Sequence, residues 1–228
     1  MRVGTDGVLL GAWARLPERC ADGGEPRVLD IGTGTGLIAL MMAQRFPHAQ
    51  VDGIDISDAA CRKAAENVAA SSFAKRIDIR CEAVQQYCPT LTDGTAKTYD
   101  AIVSNPPFFV DSLQNPDEQK ALARHAVGLS FEDLARAVDR LLAKGGEFSV
   151  IVPADSLQPF MSACWLSGLF VVRDVSVRTV ATKPVKRHLL AFRRQPVDEV
   201  EKTEVVLQGK GGVRSDWYAR LTSDFYIK

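Results

Sequence analysis

Short apolar runs alternate with longer amphipathic ones along this chain, the pattern of an α/β fold with a mainly parallel sheet. Residues 27–31 predict a first strand, and 36–46 a helix that ends near Pro47. Residues 51–54 predict a second strand, and Ser57 is placed to N-cap a helix running to residue 70. The alternation over 76–80 suits a third strand. Residues 99–104 suit a fourth, stopped by Asn105-Pro106-Pro107. Ser130-Phe131-Glu132-Asp133 has the form of a capped helix start, with the helix continuing to 142. Gly145-Gly146 then predicts a turn into a fifth strand over 147–152. A helix over 155–165 follows, and 170–177 and 188–192 complete the main sheet. Two segments fit no element. Residues 111–128 form a long polar stretch, of a kind that is uncommon in compact domains unless functional. Residues 201–228 follow the expected end of the sheet and contain the flexible Gly209-Lys210-Gly211-Gly212.

With 228 residues, 46% hydrophobic and 25% charged, the chain can bury a full core without metal or disulfide staples. We read it as one domain over 1–228, with 195–228 a C-terminal extension packed on it. Basic and acidic residues both number 28, so any surface for nucleic acid must be a local one. The five cysteines are odd in number and form no C-x-x-C pair, which argues for reduced thiols and against zinc. There is no signal-peptide pattern and no apolar run near the ~20 residues of a membrane helix. The expectation is a cytoplasmic monomer with no metal and no membrane association.

Candidate chemistry begins after the first predicted strand, at Asp30-Ile31-Gly32-Thr33-Gly34-Thr35-Gly36. Gly32, Gly34 and Gly36 let the backbone turn sharply and approach a ligand closely. Dinucleotide sites use G-x-G-x-x-G, with a helix N-terminus facing pyrophosphate. Here the spacing is G-x-G-x-G and an acid, Asp30, precedes it. That suits S-adenosylmethionine, which has no phosphate but carries an ammonium group that a carboxylate can offset. Asp55, just after the second strand, can accept hydrogen bonds from both ribose hydroxyls. Glu82 and Ala83, after the third, can border the adenine.

Asn105-Pro106-Pro107-Phe108 follows the fourth strand, at the sheet edge where α/β ligands sit. An amino nitrogen conjugated to a ring or carbonyl is a poor nucleophile, because its lone pair is delocalised. The Asn105 side-chain oxygen and the carbonyl of Pro106 can both accept its N–H groups, which favours a pyramidal nitrogen with its lone pair aimed at the methyl group. The prolines preset these acceptors, and Phe108 offers a stacking face. No strong general base is needed, because the proton becomes acidic once the methyl has transferred.

In this order along the chain, the glycine loop, ribose acid and N-P-P-F resemble the class I methyltransferases of the N-P-P-[YF] amino group. The resemblance implies a Rossmann-like fold: a seven-stranded, mainly parallel sheet with an antiparallel last strand and helices on both faces. It also implies S-adenosylmethionine as methyl donor. A closer likeness, to the bacterial tRNA adenine-37 N6-methyltransferases, rests on five stretches. They are residues 4–13 (Gly4 to Trp13), Asp30-Ile31-Gly32-Thr33-Gly34-Thr35-Gly36, Ser104-Asn105-Pro106-Pro107-Phe108-Phe109, Ala123-Arg124-His125 and Asp224-Phe225-Tyr226. It implies a tRNA partner, and that the stretch around Thr5 and Asp6 closes over the methionine end of the cofactor.

A base in structured RNA would have to be flipped out to reach such a pocket. Phe108 and Phe109 are placed to receive it. Lys120, Arg124 and His125 are candidate contacts to phosphates or the anticodon loop. Lys183, Lys186, Arg187, Arg193 and Arg194 form the densest basic cluster and a candidate grip on RNA backbone. Guanine N2 of ribosomal RNA and a protein glutamine amide are alternative substrates for the same chemistry. A nucleotide-binding oxidoreductase and a catalytically silent RNA-binding module are alternatives outside it. The glycine spacing and N-P-P-F argue against the oxidoreductase. The intact Asp30, Asp55 and Asn105 argue against the silent module.

Overall fold

A computed structural model describes residues 4–17, 24–106 and 129–226. In chain order the elements are α1 (Thr5–Trp13), β1 (Arg27–Ile31), α2 (Leu37–Arg45), β2 (Gln50–Asp55), α3 (Asp58–Ala69), β3 (Ile77–Cys81), β4 (Tyr99–Ser104), α4 (Phe131–Leu141), β5 (Leu142–Pro153), α5 (Leu157–Leu166), β6 (Phe170–Arg178), β7 (Arg187–Arg193), β8 (Glu201–Val206) and α6 (Asp216–Leu221). The strands form one sheet in the order β3-β2-β1-β4-β5-β7-β6-β8. β7 runs antiparallel to both its neighbours, and every other pairing is parallel. The strand order reverses between β1 and β4, and such a switch point opens a ligand crevice at the carboxyl ends of the strands.

Alternation along the strands divides the core into two layers. Val28, Ala101, Val103, Ile151, Leu189 and Ala191 face the layer that holds α1 and α2. Leu29, Ile102, Val150, Val152, Leu190 and Phe192 face the layer that holds α4 and α5. Near-continuous apolar strands are what a sheet covered on both faces requires. The expected caps are present: Ser57 Oγ accepts from the Ala60 N–H at 3.3 Å, and Ser130 Oγ from the Asp133 N–H at 3.0 Å.

Three features depart from the sequence reading. The sheet has eight strands among the described residues, not seven. β8 pairs with β6 at the edge, and its Glu201, Lys202, Thr203 and Glu204 are exposed, so it lacks the apolar alternation by which the other strands are recognised. Gly145 and Gly146 are not a turn before β5 but an irregularity inside it. A Cβ on Gly146 would stand 3.0 Å from the carbonyl oxygens of Tyr99 and Asp100, where the β4–β5 register shifts. The hydrophobic pattern does not mark α1 as an element. Its residues Gly7 to Trp13 are all buried, so it has no polar face to reveal a helical period. It packs on α2 through its glycines: a Cβ at Gly7 would lie 3.2 Å from Leu37 Cδ2, and one at Gly11 2.7 Å from Met41 Sδ. Four of the five cysteines are described, all as free thiols. No described helix is long and apolar enough to cross a membrane.

Candidate functional site

Parallel register brings the sequence-predicted residues to one edge. Ile31 pairs with Ile54 on one side and Ser104 on the other, and Asp55 pairs with Cys81. The glycine loop, Asp55, Glu82 and Asn105 therefore leave β1, β2, β3 and β4 at nearly the same level. Ser104 Oγ donates to the Ile31 carbonyl at 2.9 Å, tying the residue before Asn105 to the residue before Gly32. The Glu82 N–H donates to the Asp55 carbonyl at 3.0 Å.

Gly32, Gly34 and Gly36 all have positive φ, at 72°, 59° and 80°, a backbone that side chains disfavour. A Cβ at Gly32 would meet nothing within 4 Å, so the loop is open to a ligand there. At Gly36 it would lie 3.3 Å from Ala64 Cβ, so this glycine lets α3 pack on the loop. Asn67 of α3 donates its side-chain N–H to the Thr35 carbonyl at 2.8 Å.

Asp30 is fully buried beneath the loop. Its Oδ2 accepts from Thr33 Oγ1 at 2.7 Å and from the Ala39 N–H at 3.1 Å, while Oδ1 is buried with no hydrogen-bond partner. Burial pushes its carboxyl up to about 7, opposed by the two hydrogen bonds and assisted by the charge of Asp55. Asp55 accepts from the Gly34 N–H on Oδ2 and the Ser57 N–H on Oδ1, both at 2.9 Å. The carboxylate is thereby aimed along the edge, and each oxygen keeps a lone pair free.

These observations test the fit of S-adenosylmethionine. An unpartnered buried carboxylate oxygen suits a cationic group, and the glycine loop has room for a close approach. The positive end of α2 beside it is met by Asp30 itself, which accepts from the Ala39 N–H. The residues present fit the cofactor.

Several positioning residues lie outside the sequence reading. Arg140 of α4 donates to the carbonyls of Tyr87 at 2.6 Å and Val84 at 2.9 Å, clamping the turn that carries Glu82 and Ala83. Arg45 donates to the carbonyls of Gly11 at 2.8 Å and Ala14 at 2.7 Å, closing the end of α1 on α2. Thr33, Asn67 and Ser104 belong with them. Their only signal in the sequence is proximity to a motif.

The basic cluster does not stay together. Arg193 binds the buried Glu147 at 2.8 Å, and Arg194 pairs with Asp139. Glu147 also holds the buried Arg173, whose guanidinium stacks 3.9 Å from the ring of Trp13. Arg187, at the opposite end of β7, pairs with Asp6 at 2.8 Å. Lys183 and Lys186 are exposed and have no ion-pair partner among the described residues. Asn105 is half-buried and Pro106 buried. Pro107, Phe108, Phe109, Lys120, Arg124 and His125 lie outside the described residues.

Residues 14–163 match the family described as methyltransferase small domain. A curated relative from Parabacteroides distasonis, named tRNA1(Val) (adenine(37)-N6)-methyltransferase, is 42% identical over all of this chain and 92% of its own length. A relative of the same name from Aeromonas hydrophila is 42% identical over all of this chain and 91% of its own length. Among solved structures, a predicted O-methyltransferase from Agrobacterium tumefaciens superimposes with a TM-score of 0.69 at 17% identity, covering 96% of each chain. A methyltransferase from Pyrococcus furiosus gives 0.53 at 19% identity over 82% of this chain and 80% of its own. These two show the same fold.

Proposed function

The chain belongs to the methyltransferase small domain family, and from that premise we propose that it transfers the methyl group of S-adenosylmethionine to the N6 amino group of an adenine in tRNA, adenine-37 of tRNA1(Val). The observation that carries this reading is the common level of the glycine loop, Asp55 and Asn105 at the sheet edge, with the acids on one side and an amide acceptor on the other. The full-length likeness to relatives of that name supports the choice of substrate.

When bound, S-adenosylmethionine supplies an electrophilic sulfonium methyl. Asp30 Oδ1 is the group that would offset its ammonium, with Gly32, Gly34 and Gly36 lining the approach. Asp55 would take the ribose hydroxyls, and Glu82 and Ala83 would border the adenine. The α1 start at Thr5 and Asp6 would close the methionine end. Asn105 Oδ1 and the Pro106 carbonyl would accept the two N–H bonds of the target amine, turning its lone pair toward the methyl. Pro107 would stiffen that turn, Phe108 would stack on the flipped base, and Phe109, Lys120, Arg124 and His125 would contact RNA around it. Because the proton becomes acidic after transfer, water suffices to remove it.

Nucleoside mass spectrometry on unmodified tRNA transcripts tests the reading. N6-methyladenosine next to the anticodon of the valine tRNA alone is the expected result. No tRNA methylation by protein that binds cofactor would move the substrate to ribosomal RNA or a protein amide. Asn105→Ala should bind S-adenosylhomocysteine normally and lose about 10²–10³-fold in kcat, the loss typical of removing one preorganised group. Unaltered turnover would remove Asn105 from the mechanism.

A further inference from the structure

β5 and β7 run past the end of β4. Ser104, the last residue of β4, pairs with Val150, but β5 continues to Pro153, opposite Arg187. At about 3.3 Å per residue, Arg187 stands roughly 10 Å beyond the level of Ser104, the residue before Asn105. It overhangs the side from which a substrate must enter. The adjoining loop carries the exposed Lys183 and Lys186, and its backbone is pinned. The Lys186 N–H donates to the Val177 carbonyl at 2.9 Å, and the Lys186 carbonyl accepts from the Ala154 N–H at 3.2 Å and Arg187 Nη1 at 3.0 Å. These three cations form a ledge of the sign that suits a nucleic-acid backbone.

A carboxylate beside such a ledge lowers its positive potential, yet Asp6 Oδ2 accepts from Arg187 Nε at 2.8 Å. The two side chains are 28% and 35% exposed, so the pair stands at the surface of the ledge rather than in the core. Asp6 lies in the first turn of α1, and α1 rests through Gly7 and Gly11 on α2, the helix that begins at the glycine loop. One ion pair thus joins the cationic ledge to the helix pair that carries the cofactor loop.

We infer that Asp6 is a positioning residue that holds the Arg187 guanidinium for an RNA phosphate and couples RNA binding to the cofactor end. This rests on the reading of the substrate as tRNA. The alternative role, a nearby negative charge, predicts the opposite sign: removing it would tighten RNA binding.

Equilibrium binding of an unmodified valine tRNA transcript, together with the KM for S-adenosylmethionine, separates the two. Asp6→Asn should weaken transcript binding roughly two- to fivefold, the scale of a partly exposed ion pair. Arg187→Gln should weaken it at least as much and also raise the KM for S-adenosylmethionine. The double variant should be no worse than Arg187→Gln alone, and Asp6→Glu, which keeps the carboxylate, should restore most of the affinity. Lys186→Gln should weaken transcript binding without moving that KM. Unchanged or tighter binding by Asp6→Asn, or additive losses in the double variant, would overturn the coupling. Failure of the unsubstituted protein to bind the transcript would overturn the tRNA reading itself, and the coupling with it.

Discussion

At the scale of single residues, Asp30 is the most consequential. Its buried carboxyl is raised to about 7, so between the unfolded aspartate value and 7 the folded state holds a proton that the unfolded chain has released. The sign follows: this group favours the folded state fully below about pH 4 and loses that contribution as pH rises to about 7. A cationic ligand beside Oδ1 reverses the preference by stabilising the carboxylate. Calorimetric affinity for S-adenosylhomocysteine should therefore rise roughly tenfold between about pH 6 and pH 8, and Asp30→Asn should flatten the profile. A flat profile in the unsubstituted protein would place the ammonium elsewhere. Gly53, opposite Asp30 in the register, carries a second prediction. A Cβ there would lie 2.8 Å from Ile79 Cδ1 and 2.9 Å from Thr33 Oγ1, the hydroxyl that holds Asp30. Gly53→Ala should cost about 1–3 kcal/mol by overpacking and weaken cofactor binding. Thermal melting and calorimetry check the two effects.

At the scale of elements, the loops at the sheet edge are held by side chains from elsewhere. Arg140 belongs to the amphipathic α4, whose Leu134, Ala135, Ala137, Val138 and Leu141 face the core. Its charged end reaches the carbonyls of Val84 and Tyr87, more than fifty residues earlier. Arg140→Ala should leave these carbonyls without their donor and cost about 1–3 kcal/mol. It should raise the KM for S-adenosylmethionine several-fold with little change in kcat, because on the proposed reading the turn it clamps would border the cofactor and not the reacting nitrogen. An effect on kcat alone would place the turn against the RNA instead. Little of this is legible locally. The helix was expected from its cap and its apolar period, but an arginine on a polar face reads as solvated until its neighbours are known.

At the scale of the whole molecule, a chain of zero net charge can hold a polyanion such as RNA only through a local field. Of the five cations that sequence density groups together, Arg193 and Arg194 are neutralised by Glu147 and Asp139 at the far end of β7. Lys183, Lys186 and Arg187 remain near the site. Replacing Lys183 and Lys186 by Glu should weaken binding to all tRNA transcripts alike and lower the salt slope by about 2. An unchanged slope would place the RNA backbone on another surface.

The amino-acid sequence by itself determined the α/β class, most strand and helix positions, the caps at Ser57 and Ser130, and the order of glycine loop, Asp55 and N-P-P-F. Each of these is a local property, because periodicity, capping and motif spacing act over a few residues and are written in neighbouring positions. The tertiary structure decided what depends on distant partners. It placed Arg187 on Asp6, 181 residues away in sequence. It buried one oxygen of Asp30 without a partner, made a polar segment into the edge strand β8, and packed α1 into the core. Such contacts are set by which strand lies beside which, and by how far each runs past its neighbour, and no local pattern encodes either.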